Sequence, residues 1–249
     1  MARTVIVIPA RYESTRFPGK PLALLDGRTL IERTWRQCTR ALGPDDVYVA
    51  TDDDRIASHC RQFGARVVLT PSSCPTGTDR VHAASREIDA DVFVNVQGDE
   101  PLIDPADIHA VIDAAGAHPD EVVNAMCPIE DEATFRSPNV PKVVSAPDGR
   151  LLYMSRAAVP TDKALSFRSA WRQVCVYAFP PAALERFAAH GGKTPIEQIE
   201  DIEILRFLEL GIPVRMVPVS SASLAVDVPD DIGRVEAELR RRSRAASSS

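Results

Sequence analysis

The chain has 249 residues, with 29 Lys and Arg against 35 Asp and Glu, and a formal net charge of −6. At 45% apolar, 26% charged and only 12 Gly, it is too apolar for a disordered chain and too poor in glycine for a collagen-like one. The length suits one α/β unit over 1–249 that carries a small subdomain, and the acidic balance argues against bulk nucleic-acid binding.

Residues 4–10, TVIVIPA, form a continuous β-branched run, the signature of a strand buried on both faces. A polar loop, RYESTRFPGK, follows, and Leu30, Ile31, Trp35, Cys38 and Leu42 then recur at helical spacing over 30–42. Strands are predicted at 47–52, 65–70 and 91–98, with helices at 54–64, 79–88 and 105–118 between and after them. This alternation predicts a mostly parallel, Rossmann-like sheet with right-handed crossovers. Beyond residue 118 the pattern changes: EVVNAMCPI, PKVVSA, WRQVCVYAFP and IPVRMVPVS read as strands without a helix between each pair. Residues 130–180 are therefore expected to form an antiparallel-rich insertion. A helix over 194–211 is signalled by Thr194, Pro195 and Glu197 as a capping box, with Ile196, Ile199, Ile202, Leu205 and Leu208 as its core side and Gly211 as its end. The tail, RRRSRAASSS, reads as a solvated, fraying helix end.

No run of 18 apolar residues predicts a membrane span, and the apolar stretch near the N-terminus is too short for a signal-peptide core. Cys38, Cys60, Cys74, Cys127 and Cys175 are odd in number and dispersed, with no CxxC, which reads as reduced thiols in a cytoplasmic protein.

In an open parallel sheet, ligands bind beyond the carboxyl ends of the strands. The loop after the first strand carries Arg11, Arg16 and Lys20 with Ser14, Thr15 and Gly19, a set suited to a polyphosphate or to a plain solvated turn. It is not a Walker A loop, since GxxxxGK[ST] is absent. The fourth strand ends in Gln97-Gly98-Asp99-Glu100-Pro101, where a carboxylate facing a basic loop suits Mg²⁺ on a phosphate, or merely caps a turn. Asp227 in LAVDVPDD is a second such carboxylate, while Asp230 or Asp231 can cap the helix that follows. TGTDR, 76–80, places Arg80 at a helix start, as a base or phosphate contact or a cap. The five His have no partner that suggests a metal or a triad, and GxSxG and HExxH are absent.

In order along nearly the whole chain stand IPARYESTRFPGKPL, VATDD, TGTDR, VNVQGDEP, PKVV, YMSRAAVP and VDVPDD. This series resembles the 3-deoxy-manno-octulosonate cytidylyltransferases, also called CMP-Kdo synthetases. The resemblance implies an α/β GT-A-like nucleotidyltransferase fold whose 130–180 insertion serves the acceptor and dimerisation. It implies CTP against the first loop and the TGTDR turn, Mg²⁺ on Asp99 and Asp227, and a homodimer. By motif position, Arg11 and Lys20 match triphosphate-binding residues. Ala10, Gly77, Arg80 and Gln97 match the nucleotide or active-site lining. Arg156, Tyr177 and Glu203 match acceptor contacts.

The departures from the family pattern fall on the acceptor side. Where that pattern has Arg-His-x-Gly-Ile-Tyr-x-Tyr-Arg, this chain has Arg172-Gln173-Val174-Cys175-Val176-Tyr177-Ala178-Phe179-Pro180. Where it has Leu-Glu-Gln-Leu-Arg, this chain has Ile202-Glu203-Ile204-Leu205-Arg206. A sugar-contacting His is thus Gln173 and a sugar-binding Gln is Ile204. The sequence expectation is CMP transfer to a small acidic acceptor with release of pyrophosphate. That acceptor is read as a phosphonate such as phosphonoformate, with Arg156, Arg172 and Arg206 as partners for its charges; the alternative is Kdo itself. Two other classes compete. A nucleotide-sugar glycosyltransferase predicts a DxD pair that the Gln97–Glu100 segment lacks, and a non-catalytic nucleotide sensor predicts loss of Lys20 or a metal carboxylate.

Overall fold

The computed structural model describes residues 2–14, 17–219 and 223–246. Thr15 and Arg16 of the first loop, and Ser247–Ser249 of the tail, lie outside the described residues. In chain order the elements are β1 (Thr4–Ala10), β2 (Leu24–Leu25), β3 (Arg28–Thr29), α1 (Leu30–Leu42), β4 (Val47–Thr51), α2 (Asp54–Gln62), β5 (Arg66–Leu69), α3 (Gly77–Ser85), β6 (Val92–Val96) and α4 (Pro105–Ala117). They continue with β7 (Val122–Ile129), α5 (Glu132–Arg136), β8 (Lys142–Ser145), β9 (Leu151–Ser155), β10 (Ala170–Phe179), α6 (Pro181–Ala189), α7 (Pro195–Glu200), α8 (Ile204–Glu209), β11 (Val214–Pro218) and α9 (Asp231–Ala246).

The central sheet runs β11-β7-β10-β6-β1-β4-β5. β6, β1, β4 and β5 are mutually parallel, as are β7 and β11. β10 is antiparallel to both of its neighbours and joins the two parallel groups. β1 shows why its apolar run is unbroken. Val5 and Val7 pack with Val81, Ala84 and Phe187 on one face, and Ile6 and Ile8 pack with Ile31, Trp35 and Ile108 on the other. A strand covered by helices on both sides has no solvent face to mark with polar residues.

β8 pairs with β10 and β9, and β9 continues this antiparallel arm outward. β8 and β9 thus form a side branch of the sheet whose Val143, Leu151 and Met154 are buried in the main core. Its connecting turn bonds to β11 through the Met216 N–H and the Gly149 carbonyl, whereas β10 belongs both to this branch and to the sheet's centre. The expectation of strands without intervening helices is corrected here. α5 lies between β7 and β8, and α6 follows β10 directly, begun by Pro181 and burying Ala183, Leu184 and Phe187.

The single helix expected over 194–211 is also corrected. The capping box forms, with the Thr194 N–H donating to Glu197 Oε2 at 3.1 Å. The helix then stops at Asp201, whose backbone is left-handed at φ 51°, and restarts as α8. The break turns the first half away from the core: Ile199 is 82% and Ile196 38% exposed, while Ile202 and Leu205 are buried. The apolar spacing is that of one helix, but an unbroken helix would not carry Glu203 to the start of α3. Among the described residues no helix is long and apolar enough to cross a membrane. All five cysteines are free thiols.

Candidate active site

β1 and β6 are adjacent and parallel, so their carboxyl ends open on the same edge of the sheet. The fit there is tight: a Cβ on Gly98 would sit 2.9 Å from the Pro9 carbonyl oxygen. Only glycine lets β6 turn this close to β1. A cavity of ≈ 360 Å³ lies beyond these ends.

The first loop is closed by the Gly19 N–H donating to the Tyr12 carbonyl at 2.9 Å, with Gly19 left-handed at φ 71°. The Tyr12 ring lies beneath the Arg55 guanidinium at 3.3 Å. This closure delivers Lys20, whose Nζ donates to Asp99 Oδ2 at 2.7 Å in a half-buried ion pair. Asp227 reaches the same cavity because the Val226 N–H donates to the Asp99 carbonyl at 3.0 Å. Asp231 Oδ2 then accepts from the Asp227 and Val228 N–H groups at 2.8 and 3.0 Å and starts α9.

Glu100, beside Asp99, is buried, and its Oε2 has no hydrogen-bond partner among the described residues. Burial first, and then the Asp99 charge, push its carboxyl up to about 7. Asp99 and Asp227 are hard oxygen donors of the kind Mg²⁺ takes, and among the described residues no cluster of three potential protein ligands forms. Two carboxylates on an open cavity fit an ion that draws its remaining ligands from a phosphate chain and water, not one caged by protein alone.

The opposite wall is the start of α3. Thr76 caps it, accepting from the Asp79 N–H at 3.2 Å. Gly77 is held small by Gln97, whose Nε2 would be 2.7 Å from a Cβ there. The Arg80 guanidinium is buried and donates to Thr70 Oγ1 at 2.6 Å and Asp52 Oδ2 at 3.2 Å. Glu203, reaching across from the α7–α8 break, accepts from Gly77 N at 3.3 Å, Thr78 N at 3.0 Å and Thr78 Oγ1 at 2.6 Å. A carboxylate on free N–H groups at a helix start is electrostatically favoured.

Of the residues predicted from sequence, Ala10, Arg11, Lys20, Gly77, Arg80, Gln97, Asp99, Asp227 and Glu203 all line this one cavity. Arg156, Arg172, Gln173, Tyr177 and Arg206 do not. Arg156 lies behind the wall, donating to the Pro138 and Asp201 carbonyls at 3.0 and 2.9 Å. Tyr177 is buried beside Phe179, and its phenol is pushed well above its ordinary pKa by burial and then by Cys175 and Glu203. Arg172 is half-buried on β10.

Three acceptor expectations are corrected. Arg206 is not available for an acceptor charge: it is fully buried, its Nε and Nη2 donate to Glu197 at 2.6 and 2.7 Å, and it stacks on Phe187 at 3.7 Å. Gln173 is buried and donates to Asn124 Oδ1 at 3.0 Å, while Asn124 itself ties the β10 bulge through the Val174 and Val176 carbonyls. Ile204 is a core residue, 1% exposed. In this chain both substituted side chains, Gln173 and Ile204, thus face protein, and neither lines the cavity. Lys193 and Asp201 also line it, as does Glu197, which the sequence marks only as part of a capping box. Lys193 follows a Gly-Gly pair just ahead of the capping box and ion-pairs with Asp201, a signal the sequence did offer.

Parallel strand ends, a basic loop and two carboxylates around one cavity are the parts that an α/β nucleotidyltransferase uses. Comparison with known proteins gives the particular family. Residues 5–215 match the family model described as Cytidylyltransferase. The chain is 46% identical over 246 residues to a 3-deoxy-manno-octulosonate cytidylyltransferase of Myxococcus xanthus, covering 96% of this chain and 98% of that one. It is 38% identical to an 8-amino-3,8-dideoxy-manno-octulosonate cytidylyltransferase of Shewanella halifaxensis, covering 94% and 97%. The solved structure of a CMP:2-keto-3-deoxy-manno-octonic acid synthetase complexed with CTP superposes with a TM-score of 0.91 at 31% identity, over 97% of this chain and all of that one. The chain belongs to the 3-deoxy-manno-octulosonate cytidylyltransferase family, and it is a nucleotidyltransferase of the cytidylyltransferase class.

Proposed function

We propose that this protein transfers CMP from CTP to 3-deoxy-manno-octulosonate, releasing pyrophosphate. The observation that carries the reading is the convergence of Lys20, Asp99 and Asp227 on the cavity that the TGTDR turn and Glu203 close from the other side. Relatives that cover this chain almost end to end act on that sugar acid by name, and none of the comparisons supports a phosphonate acceptor. The reason for preferring a phosphonate was lost sugar contacts at Gln173 and Ile204, and both of those side chains are occupied within the fold.

In this reading the triphosphate lies along the first loop. Lys20 exchanges its partner Asp99 for a phosphate oxygen, and Arg11, exposed at the end of β1, meets the same chain of phosphates. An acceptor hydroxyl oxygen attacks the α-phosphorus and gives its proton to water, the bond to the bridging oxygen breaks, and pyrophosphate leaves with the electron pair. Charge grows on the leaving oxygens, so fixed cations there favour the transition state. Asp99 and Asp227 would hold Mg²⁺, which when bound would supply further positive charge against the phosphates and could lower the pKa of a hydroxyl beside it. Gln97 and the α3 turn border the nucleotide, and Glu203 takes the acceptor's hydroxyls.

We also infer a homodimer in a cytoplasmic setting. β9 has one paired edge, and exposed Leu152, Tyr153, Ile196 and Ile199 lie on this side of the fold, which suits a second copy. Sedimentation is expected to give the dimer mass, and a monomer at micromolar concentration removes that inference.

The test of activity is pyrophosphate release with CTP and Mg²⁺, comparing Kdo, its 8-amino-8-deoxy analogue and phosphonoformate at equal concentration. Release with Kdo well above the other two is expected. Release with phosphonoformate alone overturns the acceptor. No release with any of them, together with hydrolysis of a nucleotide sugar, moves the chain to the glycosyltransferase class.

A further inference from the structure

The PKVV segment stands out in the sequence, yet no part of the site uses it. Its lysine, Lys142, opens β8 and is completely buried. Its Nζ donates to three backbone carbonyls: Ser137 at 2.8 Å, Val140 at 2.7 Å and Arg156 at 2.6 Å. An ammonium has three N–H donors, so all of them are used. No carboxylate pairs with it among the described ion pairs. Burial, and then the Arg156 guanidinium, lower its pKa, with Glu200 opposing. A buried charge without a counter-ion is costly unless its hydrogen bonds are complete. Carbonyl oxygens from two separate segments complete them here.

Two of those carbonyls belong to the turn that precedes β8. The third belongs to Arg156, directly after the β9 residue Ser155 that pairs in register with Lys142. Arg156 is held from every side. Its carbonyl accepts from Lys142, its N–H donates to Glu200 Oε2 at 2.8 Å, and its guanidinium donates to the carbonyls of Pro138, Glu200 and Asp201. Pro138 lies in the same turn that Lys142 gathers. Glu200 and Asp201 form the end of α7, where the chain breaks toward Glu203 and the cavity.

We propose that Lys142 is a positioning residue for the acceptor side of the site. It gathers the 137–140 turn and the Arg156 backbone so that the Arg156 guanidinium caps α7 and sets where Asp201 and Glu203 stand. On the nucleotide side, the α3 turn meets this network through Glu203 alone, and the first loop with Lys20 and Asp99 shares none of its bonds, so the effect falls first on the acceptor. The inference rests on the reading that this wall meets the acceptor.

The variant is Lys142→Met, which keeps the length and most of the volume but removes all three donors. Steady-state kinetics are expected to show the acceptor KM raised about tenfold or more, because a small misplacement of a binding group is enough for that. The KM for CTP should rise much less than the acceptor KM, because no bond runs from Lys142 to the first loop and its link to α3 passes only through Glu203. Equal rises in both KM values, or unchanged KM values with only a lower melting temperature, overturn the proposal. Glu203→Gln is measured alongside. If it leaves the acceptor KM unchanged, the assignment of the acceptor wall fails. If it raises that KM while Lys142→Met does not, the lysine proposal alone fails. Should Lys142→Met not fold, Lys142→Arg retains the charge but cannot place three donors on the same carbonyls, and it is read against the same outcomes.

Discussion

The two sides of the cavity are built differently. On the nucleotide side, the functional groups sit on short loops at the ends of β1 and β6, and their contacts are few: Lys20 to Asp99, and Val226 to Asp99. On the acceptor side, groups from β9, α7 and α8 are fixed by buried charge. Arg206 lies against Glu197, Lys142 inside three carbonyls, and Arg156 over the end of α7. Lys20, the loop cation of the first side, is part-exposed and can change partners, whereas Arg206, Lys142 and Arg156 on the second side, like Arg80 at the start of α3, are part of the fold. Substitutions should therefore silence chemistry on one side and loosen structure on the other.

The largest effect is expected at Arg206. Burial opposes its charge, but the Glu197 carboxylate holds its pKa above the ordinary arginine value. Arg206→Met leaves Glu197, itself 0% exposed, as an unpaired buried charge, a loss of about 3–5 kcal/mol of stability. Adding Glu197→Gln neutralises the orphan and should recover more than half of that loss, while Thr194 keeps an acceptor for its N–H. Urea unfolding of the wild type, the single variant and the double variant measures both. A single variant within about 1 kcal/mol of wild type would falsify the view that this pair braces the acceptor wall.

Asp99→Asn and Asp227→Asn probe the other side. Each should reduce turnover by at least about a hundredfold, roughly 2.7 kcal/mol in activation free energy, if the pair holds the catalytic ion. Unfolding should barely change, since Asp99 and its partner Lys20 are part-exposed and such pairs contribute about 1 kcal/mol or less. Near-normal turnover removes the metal role. A large loss of stability instead would erase the contrast between the two sides.

The same contrast explains what was readable in the sequence. The nucleotide side is local: ten residues from Arg11 to Lys20, five from Thr76 to Arg80 and four from Gln97 to Glu100 carry most of it. Their glycines and charges announce themselves because the loop must approach a ligand closely. Six of the nine predicted residues that line the cavity, Arg11, Lys20, Gly77, Arg80, Gln97 and Asp99, come from these three segments. The β–α alternation through α4 is equally legible, since β1, β4 and β6 are buried throughout or nearly so. On the acceptor side, partners lie far apart in sequence, as with Glu203 and Thr78, 125 residues apart. Nothing local distinguishes an arginine that meets a ligand from one, such as Arg206, that meets a buried glutamate. Periodicity also misled over 194–211, where one apolar rhythm spans two helices and the break is set by a left-handed Asp201. α6 was missed because its Pro-Pro start reads as the end of a strand instead of the first turn of a helix.

The smallest expected effect sharpens the comparison most finely. Glu200 accepts from Ser155 Oγ at 2.6 Å, Arg156 N at 2.8 Å and Tyr153 Oη at 3.1 Å. Partial burial would raise its pKa, but these bonds outweigh it and the carboxyl lies below the ordinary value. With the folded pKa depressed, the stabilising contribution is complete above the unfolded carboxylate's pKa and is lost as pH falls through the folded one. Glu200→Gln should cost about 1 kcal/mol near neutral pH, since the amide keeps one accepting oxygen. The difference from wild type should shrink in acid, where wild-type Glu200 takes up a proton. The check is urea unfolding of both proteins at neutral pH and at a pH below the ordinary carboxylate range. A difference that stays constant between the two means that the charge on Glu200 does not hold Arg156, and that the acceptor wall is fixed by packing and backbone bonds alone.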